Sequence, residues 1–115
     1  MIIDESAFIA AADATLDRIG LALDAALETS DADLGWTLND GVLTIECDDG
    51  SRIVVNRHVA NRELCVAAKS GEFRFRAFDG CWRDARGNDE LAAALVRLLK
   101  TQARIAVRMP ELPAP

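Results

Sequence analysis

The sequence predicts an α+β fold, a two-layer sandwich in which an antiparallel sheet of about six strands carries an N-terminal and a C-terminal helix on one face. Three observations lead to this prediction. Apolar residues recur at helical spacing near both ends of the 115-residue chain, they alternate with polar residues in the middle, and Asp49-Gly50 joins two runs rich in Val, Ile and Leu. An Asp-Gly pair between apolar runs is typical of a β-hairpin. A sheet with one apolar face needs a cover, which the two helices can provide.

The first predicted element is a helix over residues 6–28. Its apolar residues recur at spacings of three and four, as in an amphipathic helix, and Asp4 or Ser6 is a suitable N-cap. At about 100° per residue, four acids fall within a narrow arc away from the apolar stripe. These acids are Asp13, Asp17, Asp24 and Glu28. No lysine lies between them, although like charges one turn apart cost roughly 0.2–0.5 kcal/mol per pair. The arc is therefore either an ordinary solvated face or a surface that uses its charge.

The strand region begins at Trp36 and contains the central hairpin over residues 41–57. Three further strands are predicted over residues 63–69, 72–78 and 81–85. In the second of these, phenylalanines alternate with Arg74 and Arg76. Because side chains alternate between the two faces of a strand, the outer face of the sheet is expected to carry cations.

A second helix is predicted after the last strand, with Asn88 as its N-cap, Asp89 and Glu90 in its first turn and an end near Ala103. Leucines at helical spacing form its apolar side, namely Leu91, Leu95, Leu98 and Leu99.

The remaining residues are assigned to the domain and to a tail. Residues 104–109 are expected to pack back on the domain, which then comprises residues 1–109. Residues 110–115 contain three prolines and are expected to form a loose C-terminal tail.

Composition excludes several classes of protein. A net charge of −6 and a pI near 4.7 argue against a nucleic-acid partner, whose phosphates would be repelled. No apolar stretch of about 18 residues is present to span a membrane, and the N-terminus carries acids where a signal peptide carries bases. We therefore expect a soluble, cytoplasmic protein. Cys47, Cys65 and Cys81 are odd in number and widely spaced, which predicts reduced, packed thiols.

Charge is unevenly distributed along the chain. Through Gly50 there are twelve acids against Arg18 alone, whereas from Ser51 onward twelve bases outnumber seven acids. The molecule should have an acidic end and a basic end. A basic partner or a cation is the natural ligand of the acidic end.

Few residues are available for catalysis. His58 is the single histidine, so neither a Ser-His-acid triad nor a zinc site of histidines and cysteines can be proposed. A lone loop histidine is usually just solvated. Carboxylate oxygens remain, and they suit hard cations, but exposed ligands on an open surface bind with modest affinity and poor selectivity.

Short strings along the chain resemble the bacterial frataxin family. They are Gly-Val-Leu-Thr at 41–44, Asp-Asp-Gly-Ser at 48–51, Ile-Val-Val-Asn-Arg at 53–57, Ala-Ala-Lys-Ser-Gly at 67–71 and Phe-Arg-Phe at 73–75, together with Asn39 and Trp82. The resemblance covers residues 8–103 and implies the same sandwich. It also implies an iron-binding protein of iron–sulfur cluster assembly that donates iron, regulates the cysteine desulfurase, or does both. The alternative is a protein-interaction regulator of cluster assembly with little or no iron binding.

The resemblance places iron on an acidic ridge formed by the first helix and the edge of the first strand. The matching acids are Asp13, Asp24, Asp31 and Asp33, and Asp17 and Glu28 extend the same face by helical spacing. The implied ligand is Fe²⁺ or Fe³⁺, weakly and reversibly bound. The implied partners are the cysteine desulfurase and the iron–sulfur scaffold machinery, contacted through Asp24, Asp31, Asp33, Asn39, Asn56 and Arg57. We expect a non-catalytic monomer. A weak ferroxidase activity and iron-dependent oligomers are left open as alternatives.

Five positions depart from the family pattern. Gly20, Leu21 and Gly35 stand where relatives carry ridge acids, Cys65 stands where relatives show an exposed tryptophan, and His58 replaces a glutamine. The ridge is therefore depleted, and the partner surface of the sheet is expected to differ.

Overall fold

The computed structural model describes residues 4–84, 86–87 and 89–115. In chain order these residues form α1 (Glu5–Glu28), β1 (Gly35–Asn39), β2 (Val42–Glu46), β3 (Arg52–His58), β4 (Glu63–Ala68), β5 (Gly71–Phe78), β6 (Cys81–Asp84) and α2 (Leu91–Leu98). A π-helical turn, Leu99–Ala103, continues α2 directly. The predicted sandwich of two helices and an antiparallel sheet is confirmed.

The sheet is a meander in which each strand pairs with the next one in sequence, in the order β1 to β6. All of the pairings are antiparallel. The central hairpin closes through the predicted turn, where the Cys47 N–H donates to the Ser51 carbonyl at 2.8 Å. Gly50 has a φ of 87°, a left-handed conformation that glycine adopts without a Cβ clash.

A single hydrophobic core lies between the helices and one face of the sheet. Trp82 and Phe8 are fully buried there and meet edge to face with ring centroids 5.9 Å apart. The Trp82 indole N–H donates to the Thr15 hydroxyl at 3.1 Å, which satisfies two polar groups inside the core. This packing fixes α1 against the sheet, so the opposite side of α1 must face solvent.

The start of the second helix differs from the prediction. The helix begins at Leu91, and its N-cap is Glu90, whereas the predicted cap Asn88 lies outside the described residues, as does Ala85 at the predicted end of β6. Asp89 and Glu90 are not in the first turn, because their backbones still extend the sheet. The Asp84 N–H donates to the Asp89 carbonyl, and Glu90 forms a β-bridge with Arg83. At α1, Asp4 takes the N-cap position, without a side-chain hydrogen bond to the helix.

The C-terminal tail, residues 110–115, is not loose as predicted. Leu112 is 2% exposed, Pro113 forms a β-bridge with Cys81, and the Ala114 N–H donates to the Gly80 carbonyl at 3.0 Å. The Arg18 guanidinium donates to the Glu111 carbonyl at 3.0 Å. The prolines do not prevent this packing, because the tail covers the outer edge of β6, where a strand without a partner can accept an irregular segment.

The preceding segment packs on the domain as expected, with Ile105 and Val107 nearly fully buried. Across the described ranges, neither helix combines the length and apolar content needed to cross a membrane.

The packed tail can be tested with Leu112→Ala. This change should lower the free energy of unfolding by about 2 kcal/mol, because truncating a buried leucine removes apolar contacts and leaves a cavity. Glu111→Ala is the matched control, since Arg18 bonds the backbone oxygen that this substitution keeps. The measurement is urea unfolding followed by circular dichroism. Equal midpoints for Leu112→Ala and the unmodified protein would show that the tail does not contribute to the core.

Candidate functional site

The acidic ridge is defined here as the row of acids on α1 and in the loop that follows, namely Asp13, Asp17, Asp24, Glu28, Asp31 and Asp33. Asp13 is half-buried and the other five are exposed. The buried residues of α1 pack against the sheet, and the ridge acids of the helix lie outside this buried stripe, with Asp13 and Asp24 close enough to the sheet to contact Arg57 and Trp36. Asp13 and Asp17 line one cavity, Asp31 and Asp33 line another, and the structure engages Asp13 and Asp24 in internal contacts.

Trp36 covers the middle of the ridge. Its indole N–H donates to Asp24 Oδ1 at 2.8 Å, and its ring packs directly on Gly20 of α1. A Cβ at Gly20 would lie only 2.6 Å from Cη2 of the indole, closer than such carbon atoms approach. An acid at position 20 is therefore incompatible with this placement of Trp36, which accounts physically for the glycine found there.

Arg57 occupies the N-terminal end of the ridge. Its guanidinium pairs with Asp13 and lies 3.9 Å from Asp40, and its side chain is only 21% exposed. The aliphatic part of the side chain packs on Gly41, where a Cβ would meet Nε at 2.5 Å. A cavity of about 330 Å³ opens beside these groups and is also lined by Asp17. A metal ion at Asp13 would have to compete with a cation that belongs to the chain.

The C-terminal end of the ridge meets a second group of acids. Asp31 and Asp33 line a cavity of about 320 Å³ together with Asp48 and Asp49, and Gln102 and Arg104 complete its wall. The β1–β2 register brings these acids together, because Gly35 pairs with Glu46 and the loop before β1 therefore lies beside the turn after β2. The sequence prediction did not include Asp48 and Asp49 in the site. The antiparallel hairpin was the signal that could have identified them.

Asp49 is held in the ionised form. A hydrogen bond from the Lys69 ammonium, with further bonds from the hydroxyl and backbone N–H of Ser51, keeps the pKa of the Asp49 carboxyl well below its usual value. Each of these donors stabilises the charged carboxylate more than the neutral acid. Asp49 therefore stays ionised to lower pH than an ordinary aspartate.

The arrangement of the ridge does not form a ready-made metal site. Within the described part of the chain, no group of three or more histidine, cysteine, aspartate and glutamate side chains is placed to hold a metal ion. Hard cations in proteins take several oxygen ligands. A ferrous ion on this ridge would therefore keep most of its ligands as water, which favours weak and reversible binding.

The predicted partner-binding residues lie on two different surfaces. Asn39 and Asn56 are on the outer face of the sheet. Asn39 of β1 and Asn56 of β3 both pair with Val42 of β2, so the three residues form one row across the strands. Arg57 lies on the helix side against Asp13. Asp24 is on that side as well, through its bond with Trp36, so one flat partner surface could not contact the whole predicted set.

The outer face of the sheet carries exposed cations, as expected from the alternation in β5. Arg74 and Arg76 are exposed, and Arg76 donates to Glu63 Oε2 at 2.7 Å. Glu63 is 2% exposed, and among the residues that the structure describes its second oxygen has no hydrogen-bond partner. Sequence reasoning gave no reason to expect this buried carboxylate.

Cys65 lies beside this pair and is a poor candidate for a metal ligand. Burial, with the nearby Glu63 carboxylate, raises the pKa of its thiol, so the thiolate that binds metals is disfavoured near neutral pH. Of the three free cysteines, Cys47 is buried and Cys65 and Cys81 are partly buried.

The contact between Trp36 and Gly20 can be tested with Gly20→Ala. The added Cβ should displace the indole and break its bond to Asp24, which should shift the Trp36 indole N–H signal in the NMR spectrum. Stability should change little, because strain from the added methyl group is offset by the helix preference for alanine over glycine, about 1 kcal/mol. Gly35→Ala is the control, since open space surrounds that position. An unchanged Trp36 indole signal in Gly20→Ala would contradict the contact.

The charge state of Asp49 can be tested by carbon-detected NMR titration. Its carboxyl should titrate below the ordinary aspartate value of about 3.9, and Lys69→Met should raise its pKa because the first of its hydrogen bonds is lost. Because the pKa of Asp49 is lower in the folded than in the unfolded state, its ionised carboxylate stabilises the fold above the unfolded-state pKa. This stabilisation is lost as pH falls through the folded-state pKa. Lys100→Met, at another exposed lysine, should leave the Asp49 titration unchanged. An Asp49 midpoint that does not respond to Lys69→Met would contradict this account.

Comparisons with known proteins agree with this architecture. The model of the frataxin-like domain matches residues 1–105. The iron-sulfur cluster assembly protein CyaY of Dechloromonas aromatica is 48% identical over 105 residues, covering 90% of this chain and 96% of that protein. CyaY of Ralstonia nicotianae is 43% identical over 105 residues, covering 91% and 93%. Among solved structures, frataxin from Psychromonas ingrahamii matches with a TM-score of 0.77 and 24% identity, covering 95% of this chain and all of that one. A trimeric yeast frataxin complexed with ferrous iron matches with a TM-score of 0.71 and 23% identity, covering 90% and 89%. With a matching family model and relatives of this identity along most of its length, the chain belongs to the frataxin family.

Proposed function

We propose that this protein serves iron–sulfur cluster assembly in the cytoplasm by docking its acidic ridge on a basic surface of the cysteine desulfurase, and that the same ridge binds iron weakly and reversibly. The names of its relatives point to cluster assembly. The observation that carries the proposal for this chain is the convergence of Asp31 and Asp33 with Asp48 and Asp49 around one cavity.

Docking through the ridge would be electrostatic. Complementary charge speeds the encounter of two proteins and selects the partner. The carboxylates of Asp17, Asp31 and Asp33 are already exposed, so a partner could reach them without a rearrangement of the fold. The association should weaken as salt screens the charges over about 10 Å at 0.1 M ionic strength. The role is regulatory and non-catalytic.

Iron would be cargo held mainly at the C-terminal end of the ridge. Asp31 and Asp33 are the acids predicted from the family pattern that neither Arg57 nor Trp36 engages, and Asp48 lines the same cavity. Carboxylate oxygens would supply part of the coordination shell and water the rest. Such a shell is suited to giving up iron to an assembly partner.

A regulator with little or no iron binding is the second candidate. The engagement of Asp13 by Arg57 and of Asp24 by Trp36 favours it, because both contacts remove carboxylates from the set available to a metal. Docking on a basic partner would survive this loss, since the remaining ridge acids keep their charge.

A charge-matched pair of variants tests the proposal. Asp31→Asn/Asp33→Asn should weaken desulfurase binding by about tenfold, in the range expected when charges at a protein interface are removed, and should abolish ferrous-iron shifts at the end of the ridge. Glu72→Gln/Asp79→Asn removes two exposed acids outside the ridge and should change neither. The measurements are calorimetry with purified desulfurase and amide NMR during an anaerobic ferrous titration.

The outcomes separate the two candidates. Loss of both responses in Asp31→Asn/Asp33→Asn supports a ridge with two uses. A loss of desulfurase affinity alone, in a protein that shows no ferrous shifts, identifies the regulator without iron. Equal behaviour of the two double variants would refute the assignment of the ridge.

A further inference from the structure

The two edges of the sheet differ in how they are covered. Along β6 the chain covers its own edge, because Pro113 forms a β-bridge with Cys81 and Glu90 forms one with Arg83. At the other edge, β1 pairs with β2, and across the described ranges no β-bridge joins the outer side of β1 to another segment. An edge strand without a partner is a template for a further extended segment.

The backbone groups on the outer side of β1 follow from the pairing of the next strands. The Arg57 N–H donates to the Gly41 carbonyl at 3.0 Å, so Gly41 directs its polar groups to β3 and the next residue, Val42, directs its own to β1. Val42 pairs with Asn39, and bonding residues alternate along an antiparallel strand. The residues of β1 that turn their N–H and C=O groups outward are therefore Trp36 and Leu38. In the part of the chain that the structure describes, no hydrogen bond reaches these outward groups.

Carboxylates border the same edge. The Trp36 indole packs on α1 and bonds Asp24, so this edge lies beside the acidic ridge. The cavity of about 330 Å³ at the N-terminal end of the ridge is lined by Leu38, with Asp17 and Asp40 among its acids. Three acids and one arginine line this cavity, and the Asp40 side chain is 93% exposed. The open backbone of β1 therefore lies in a negative field.

We propose that the outer edge of β1 binds an extended segment of a partner protein as an added antiparallel strand, in which basic side chains occupy alternate positions. Opposite Trp36 and Leu38 the segment would exchange backbone hydrogen bonds with β1. Its side chains at these positions would lie on the helix side of the sheet, where basic groups face the carboxylates of α1. The inference rests on the docking function proposed above and adds to it the way in which the partner's backbone is held.

Charge selects this partner over a second copy of the chain. Pairing of β1 with β1 would bring the same acids of two copies together, and like charges across an interface cost affinity. Acids beside an open edge thus protect the monomer from self-pairing, whereas they attract a cationic strand. Backbone hydrogen bonds then supply affinity, and the alternating charges supply specificity.

The probe is a fluorescein-labelled Arg-Val-Arg-Val-Arg peptide, titrated with the full-length protein and followed by anisotropy. Methylating the backbone nitrogens of the arginines keeps every charge but removes the N–H groups that would face β1. This peptide should bind about tenfold more weakly or worse, because several hydrogen bonds are lost. Methylating the valine nitrogens, whose N–H groups would face away from β1, is the matched control and should leave affinity unchanged.

Amide hydrogen exchange locates the contact. Bound peptide should slow exchange of the Trp36 and Leu38 amides, whose N–H groups point outward in the free protein. It should leave the Thr37 amide unchanged, since that residue already bonds β2 in the alternating pattern. Docking by charge alone would shift signals of α1 without protecting either outward amide, and that result would contradict the proposal.

The acids are tested with Asp17→Asn/Asp40→Asn, which should weaken peptide binding by about tenfold. Glu72→Gln/Asp79→Asn is the matched control, because it removes two exposed acids on the opposite side of the sheet from β1. Asp79 has a φ of 55° and Asp40 one of 52°, so both double variants place one asparagine at a left-handed turn position. The control should bind the peptide normally.

Three results would overturn the inference. The first is equal binding of the two methylated peptides, and the second is an absence of binding at millimolar peptide. The third is protection of the Trp36 and Leu38 amides by the protein alone as its concentration rises, which would make a second copy the occupant. Any of these with a desulfurase affinity that Asp31→Asn/Asp33→Asn still weakens would refute strand addition and leave the ridge function standing.

Discussion

Burial of one face of the sheet under α1 is the constraint on which the rest of the structure depends. Phe8 and Trp82 lock the helix in place from inside the core, and the Thr15 hydroxyl satisfies the indole N–H that this packing buries. With the rotation of α1 fixed, its acids lie outside the core, and Asp13 and Asp24 come within reach of Arg57 and Trp36. The ridge is thus a consequence of the core, and changes that loosen the core should also blur the alignment of the carboxylates.

The fold was predictable because its signals are local. The Asp-Gly turn defined the central hairpin, and alternation in β5 placed Phe75 in the core and Arg74 outside, as the structure has them. The start of α2 and the packed tail were not predictable in this way. They depend on backbone contacts between distant residues, such as Asp84 with Asp89 and Gly80 with Ala114. Three prolines in a short segment suggested disorder, but the open edge of β6 determined the outcome.

The contacts of the candidate site were not predictable from the sequence. Helical spacing put Asp13 and Asp24 on one face of α1, and in the structure each of them meets a side chain from the sheet. No sequence pattern showed that Arg57 would pair with Asp13 or that Trp36 would bond Asp24, because each contact joins elements whose distance depends on the register of β1, β2 and β3. The same register adds Asp48 and Asp49 to the far end of the ridge.

These contacts divide the ridge into parts with different properties. At one end Arg57 neutralises Asp13, in the middle Trp36 shields Asp24, and at the far end Asp31 and Asp33 stay exposed. A fully open row of carboxylates would repel itself and would offer a multivalent cation more oxygen ligands. Internal partners reduce both effects without removing the negative field, which extends beyond any single pair. If the ridge serves a basic partner and an iron cargo in turn, this division lets the field attract both while leaving too few free carboxylates at any one place to retain the metal.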